Sequence, residues 1–195
     1  MRNNPLCAMT FVISVVFVAG LSIAGLDNIE DFEILASDGG ASDEFGTAVA
    51  ISGDIALVGA PNDDENGSNA GAAYIFRFNG TTWIQEAKLL ASDGEASDEF
   101  GTSVALDGTV ALIGAPNDDD NNSNAGAVYV FTFDGSQWDQ ESKLLASDGS
   151  SSDGFGISVS ISGSFAVVGA YLEDELATNC GAAYAYRTTG TAWIG

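Results

Sequence analysis

The sequence predicts an all-β chain of three like units, each a four-stranded antiparallel sheet, and three observations carry that prediction. Phe45-Gly46, Phe100-Gly101 and Phe155-Gly156 recur at one constant interval, which also relates Gly59-Ala60-Pro61 to Gly114-Ala115-Pro116 and Gly169-Ala170-Tyr171. Aromatic residues fall on alternate positions, as in Tyr129, Phe131 and Phe133, so all three rings share one face of a strand. No stretch beyond residue 24 spaces its apolar residues as a helix does. A register this strict means that each unit cannot bury its apolar face alone and stacks on its neighbours.

The second unit shows the elements in order. Gly101 to Leu106 alternates small and apolar residues, Asp107-Gly108 marks a tight turn, and Thr109 to Gly114 is a β-rich apolar run, which together predict a hairpin. An acidic, asparagine-rich loop from Ala115 to Ala125 follows. Gly126 to Phe133 is the third strand, Asp134-Gly135 turns the chain, and Trp138 to Leu145 is the fourth. Four strands in a unit of this length mark a β-propeller blade. The ring stripe returns as Tyr74, Phe76 and Phe78 and as Tyr184 and Tyr186, and it is read as packing between blades.

The units are expected over residues 36–90, 91–145 and 146–195. Residues 28–35 align with the fourth strand and are expected to act as an N-terminal closing strand. Propellers usually have about 4 to 8 blades. Three wedges should not close alone, so the expected states are a homo-oligomeric ring or part of a larger propeller, with the closing strand completing the third sheet of its own or a neighbouring molecule.

Residues 1–24 differ from the rest. Arg2 is their only charge, Ala8 to Val18 is almost continuously apolar, and Ser22-Ile23-Ala24 supplies small residues where a signal peptidase reads. The apolar run is shorter than the roughly 20 residues of a spanning helix. A cleaved signal is expected, with a secreted product (extracellular, periplasmic or at the cell surface) that has no membrane contact after cleavage.

The chain carries 28 acidic and 5 basic residues, no histidine, and a net charge of −23. Too few lysines and arginines remain to displace counterions from a phosphate backbone, so nucleic acid is excluded as a partner. Cations and basic protein surfaces suit the charge. The missing histidine removes serine-histidine and cysteine-histidine chemistry and histidine-ligated zinc. Cys180 takes the repeat position of Ala70 and Ala125, which predicts a small buried side chain.

Phe-Gly opening one strand and Gly-Ala-Pro closing the next resemble the FG-GAP repeat of integrin α-subunit propellers and of secreted bacterial proteins, over nearly everything beyond the signal segment. The resemblance implies an extracellular β-propeller used for adhesion or ligand binding, with Phe45, Phe100 and Phe155 packed inside or between blades. Calcium-binding members of that family carry an Asp-x-Asp-x-Asp-Gly-x-x-Asp loop between the two motifs. Here that interval holds only the turns Ser52-Gly53-Asp54, Asp107-Gly108-Thr109 and Ser162-Gly163-Ser164, so those ligands do not carry over.

A separate acidic cluster follows Gly-Ala-Pro. Asp118, Asp119 and Asp120 in the second unit, Asp63, Asp64 and Glu65 in the first, and Glu173, Asp174 and Glu175 in the third offer oxygen ligands to a hard cation, with calcium the ion considered. The alternative is a solvated acidic loop.

Function is expected to be that of a secreted, non-enzymatic module binding a protein or glycan through its loops. A structural surface or matrix repeat protein is the alternative, and a carboxylate-based glycan-active enzyme ranks third. Tyr171, Leu172 and Leu176 individualise the third loop and mark either a contact surface or, equally, an end-blade adaptation or drift. Cleavage is expected at or near Ala24, and N-terminal sequencing of exported protein checks it; an intact Met1 species in a membrane fraction would count against it.

Overall fold

A computed structural model describes residues 32–175, 177–190 and 192–195. The expected signal segment, residues 28–31 of the closing strand and Leu176 therefore lie outside the described residues. The described chain folds into three antiparallel sheets with no helix among the described residues. The first comprises β1 (Val49–Ser52), β2 (Ile55–Ala60), β3 (Ala72–Phe78) and β4 (Trp83–Leu89) in sequential order. The second repeats this with β5 (Ser103–Asp107), β6 (Val110–Ala115), β7 (Ala127–Phe133) and β8 (Trp138–Leu144). The third has β9 (Phe155–Ser162), β10 (Phe165–Ala170), β11 (Ala182–Thr188) and the short β12 (Trp193–Ile194), and the three sheets do not close a ring.

The turns form where the sequence expects them. Gly108, at φ 58°, turns the chain so that Asp107 faces Val110 across the hairpin. Asp134 Oδ1 accepts the amides of Ser136 and Gln137 at 2.7 and 2.9 Å and fixes the turn into β8.

Burial follows the stripes. Phe100 lies fully buried between the first and second sheets and meets Tyr129 and Phe131 edge to face, with ring centroids 5.3 and 6.1 Å apart. Phe155 repeats this against Tyr184 and Tyr186. The rings are thus packing groups, as their spacing implies.

The joint between sheets is made by backbone. Phe100 N donates to Ala70 O at 2.9 Å and Glu99 N to Asn69 O at 3.1 Å, and Gly71 forms a parallel bridge with Phe100. A Cβ on Gly59 would fall into the carbonyl of Gly101, and one on Gly71 into that of Phe100. The second joint copies the first, with Phe155 N on Ala125 O at 2.9 Å, Gly114 against Gly156 O and Gly126 against Phe155 O. Each Phe-Gly pair thus docks on the Gly-Ala-Pro strand of the preceding repeat.

Two expectations need correction or detail. Cys180 is exposed, not buried. Ala70 and Ala125 are covered because the next repeat's phenylalanine lies over them, and no described residue covers Cys180 in that way. Residues 32–36 pair with no strand and pack on the first sheet. Phe32 meets Phe78 edge to face at 6.0 Å, and Ile34 and Ala36 join the cluster around Tyr74 and Phe76.

Replacing Gly114 with Ala is expected to destabilise the fold strongly, by 3 kcal/mol or more at the upper end of the roughly 1–3 kcal/mol that overpacking costs, because backbone must move. Gly135→Ala, where a Cβ meets nothing within 4 Å, is expected to cost only the roughly 1–2 kcal/mol of its left-handed φ. Urea unfolding of both variants checks the contrast, and equal losses would refute the backbone joint.

Candidate functional site

The loops β2–β3, β6–β7 and β10–β11, which join the second and third strands of each sheet, carry the acidic residues singled out by sequence, and the same backbone bond shapes each one. Gly71 N donates to Asp63 O at 2.9 Å, Gly126 N to Asp118 O at 2.9 Å and Gly181 N to Glu173 O at 2.8 Å. The buried carboxylate of each loop then caps its own turn: Asp63 accepts from Glu65 N, Asp118 from Asp120 N and Glu173 from Glu175 N. Asp63, Asp118 and Glu173 are consequently buried, while Asp64, Asp119 and Asp174 are exposed.

A lysine supplies the cation at the centre of the first two loops. Lys88 Nζ, from β4, lies 2.8 Å from Asp38, 2.9 Å from Asp63 and 2.6 Å from Glu65. Lys143 Nζ, from β8, lies 3.1 Å from Asp93, 2.7 Å from Asp118 and 2.6 Å from Asp120. Each ammonium also stands over an aromatic face, Tyr74 at 5.4 Å and Tyr129 at 5.1 Å from the ring centre. Tyr74 OH donates to Asp63 at 2.9 Å, and Tyr129 OH, with a single proton to donate, lies 2.7 Å from Asp118 and 2.9 Å from Asp93.

The electrostatics follow from this geometry. Burial alone would lower the Lys88 ammonium, but the carboxylates of Asp38, Glu65 and Asp63 outweigh it and hold the group above the usual lysine range. Lys143 is raised in the same way by Asp118, Asp120 and Asp93. The Tyr129 phenol is pushed up by burial and by Asp118. Lys88 holds the Asp38 carboxyl below the ordinary carboxylate range. Asp98, buried and accepting Glu95 N at 2.7 Å, is pushed up to about 6 by burial and by the nearby Asp118 and Asp119.

Among the described residues no group of three or more Asp, Glu or Cys is arranged to hold a metal ion. In the first two loops the physical reason is direct, since two of the three carboxylates considered for calcium in each loop already converge on an ammonium. Of the six candidates, Asp63, Glu65, Asp118 and Asp120 are brought onto a lysine, whereas Asp64 and Asp119 are not. Asp64 instead accepts Asn69 N at 2.8 Å.

The third loop brings Glu173, Glu175 and the neighbouring Asp148 to the matching positions, with Tyr184 OH donating to Asp148 at 2.8 Å, but no lysine or arginine pairs with them among the described residues. Sequence reading missed Lys88, Lys143 and the tyrosine hydroxyls as parts of these sites. The signal was present, for the two lysines stand at the repeat interval and Asp38, Asp93 and Asp148 lie in the recurring Ala-Ser-Asp-Gly segment.

A model of the FG-GAP repeat matches the sequence three times, over residues 30–76, 83–131 and 138–186. The chain belongs to the FG-GAP repeat family. No curated protein matches the sequence. The second and third FG-GAP matches each begin on a fourth strand and continue through three strands of the following sheet, so the family unit straddles the sheet boundary.

Lys143→Gln is expected to destabilise the fold by about 3 kcal/mol, since it strands the buried Asp118. Millimolar calcium is expected to leave the parent melting temperature unchanged and to raise that of Lys143→Gln, because a ligand of the folded state stabilises it by mass action. Scanning calorimetry with calcium and with chelator is the check, and a calcium response in the parent equal to that of the variant would refute the ammonium as the occupant.

Proposed function

We propose that this FG-GAP protein is an exported, non-enzymatic repeat module that binds a basic protein surface through the loops of its second and third repeats. The observation that carries the reading is a cleft of about 230 Å³ where these repeats meet, lined by Glu99, Asn117, Asn124, Ser152, Tyr171 and Leu172. Tyr171 and Leu172 replace the Pro-Asn pair found at Pro61-Asn62 and Pro116-Asn117, and Tyr171 is exposed where both prolines are buried.

An exposed phenol ring beside amides, a hydroxyl and a carboxylate offers one apolar anchor and several orienting hydrogen bonds. The flanking Asp174 and Glu175 are exposed, and the chain's excess of acid favours a basic partner and steers its approach. Export rests on the composition of residues 1–24. The non-enzymatic reading rests on the family and on the missing histidine.

Selection from a displayed peptide library is expected to enrich lysine- and arginine-rich binders whose affinity falls with salt. Tyr171→Pro with Leu172→Asn, which restores the loop of the other repeats, is expected to reduce their affinity at least about tenfold, or roughly 1.4 kcal/mol. Binders indifferent to the double change, or a glycan array that responds where peptides do not, would refute the reading.

A further inference from the structure

We propose that the faces of the first and third sheets that no described residue covers dock on each other between two copies of this chain, Phe45-Gly46 of one copy seating against Gly169 and Gly181 of the other, so that two copies close a head-to-tail ring of six sheets. This contact lies on the outer face of the third sheet and adjoins the partner cleft between the second and third sheets, with which it shares Ile157 and Tyr171.

The template is the internal joint, seen twice. In both joints the amide of the phenylalanine and that of the residue before it donate to two loop carbonyls of the preceding repeat, and the following glycine lies flat on a glycine strand. The outer faces carry the two halves of a third joint. At repeat-equivalent positions stand the amides of Glu44 and Phe45 on one face and the carbonyls of Asn179 and Cys180 on the other, none with a backbone partner among the described residues.

Both halves already hold the docked shape. Ser42 and Glu44 have φ of 73° and 57°, against 73° and 56° for Ser97 and Glu99 inside the first joint. Asn179, at 54°, matches Asn69 at 56° and Asn124 at 54°. Gly46 has φ 97° and a Cβ direction that meets nothing within 4 Å, whereas a Cβ on Gly101 or Gly156 strikes the preceding sheet. Preformed loops of this kind need no ordering when they bind.

The apolar surface matches as well. Val49 and Ile51 are 70% and 67% exposed, while Val104 and Leu106, their equivalents, pack on the first sheet. Phe165 and Val167 are 61% and 47% exposed, while Ile55 and Leu57 at the same positions are 5% and 0%. The third sheet also keeps an open cleft of about 460 Å³ along Gly169, Cys180 and Gly181, where the internal joints hold a Phe-Gly pair. Exposed apolar faces at both ends of one molecule, each shaped for the other, mark a heterologous contact that can close by rotation. Six sheets lie within the about 4 to 8 that propellers use.

Charge modulates the contact. Glu33 takes the repeat position of Lys88, so docking brings a carboxylate toward Asp148, Glu173 and Glu175 of the other copy. Screening by salt weakens that repulsion, and association is expected to strengthen as salt rises.

The test is light scattering of the protein carrying Cys7→Ser, with the labelling rate of Cys180 followed in parallel. The expected result is a mass that doubles with concentration, more readily at higher salt, while Cys180 becomes protected as Ala70 and Ala125 are. Gly169→Val is expected to abolish both effects without unfolding the chain, because the one close contact of its added Cβ is the rotatable Ser158 hydroxyl, with Ile157 at ordinary van der Waals distance and no backbone closer than that. Val49→Asp, at an exposed position on the opposite face, is expected to do the same, and circular dichroism confirms that each variant is folded. A mass that stays at one chain, growth beyond two copies, or a doubling that survives both substitutions overturns the proposal.

Discussion

The contact on which the whole structure depends is the approach of two backbones. Where Gly101 lies on the strand ending at Gly59-Ala60-Pro61, no side chain intervenes, and the neighbouring amides of Glu99 and Phe100 reach carbonyls across the joint. A Cβ at Gly59, Gly71, Gly114 or Gly126 has no room, which explains why glycines recur at these positions. Close approach also sets the side chains around it. Alanines fill the positions beside the glycines, and one large ring, Phe100 or Phe155, fills the space left between the sheets.

The polar layer at the loop end is built around the same joint. Lys88 and Lys143 cannot be read as surface charges, since each is largely covered and surrounded by three carboxylates and a tyrosine. Such an arrangement gains little over a well-packed apolar one in net stability, because desolvation offsets most of the attraction. Its physical effect is to fix where the β2–β3 and β6–β7 loops sit relative to the fourth strand of each sheet, since any other position leaves the buried Asp63 or Asp118 without its ammonium. In a chain this acidic, two of the few cations are committed to positioning loops, and Arg77 to pairing with Glu86, which also accepts Trp138 Nε1 at 2.8 Å from the next sheet.

Strands and faces were legible in the sequence because alternation and turn chemistry act locally. The strand limits around Asp107-Gly108 and the buried face of Tyr129 and Phe131 follow from a few neighbouring residues. The lysine clusters were not legible in the same way, for Asp38 and Lys88 are far apart in sequence and meet only through sheet order. Counting acids in the loop suggests a divalent ion, and nothing local reveals that a fourth strand brings an ammonium into the same place. Cys180 failed for a related reason. Its repeat position predicts burial only if a following Phe-Gly pair covers it, so the repeat interval describes the internal joints and not an outer face. The cleft beside Tyr171 was visible as an irregularity in the pattern, whereas its depth depends on how the second and third sheets lean together.

A joint of this kind also explains why variation gathers where it does. Gly-Ala is preserved in all three repeats, including Gly169-Ala170, while the next residue changes from Pro61 and Pro116 to Tyr171. In the first two repeats the glycine and alanine face another backbone and have no freedom. The position that follows leaves the strand at the edge of the joint, where a side chain points past the contact and enters the cleft. Proline there stiffens the exit by fixing φ near −65°, and tyrosine exchanges that stiffness for a large amphipathic ring beside Gly154, whose added Cβ would meet the Tyr171 ring at 2.8 Å. The backbone contact that constrains the repeats therefore also delivers the first loop residue to the surface in a fixed direction, and a single substitution there can alter recognition without disturbing the packing that positions it.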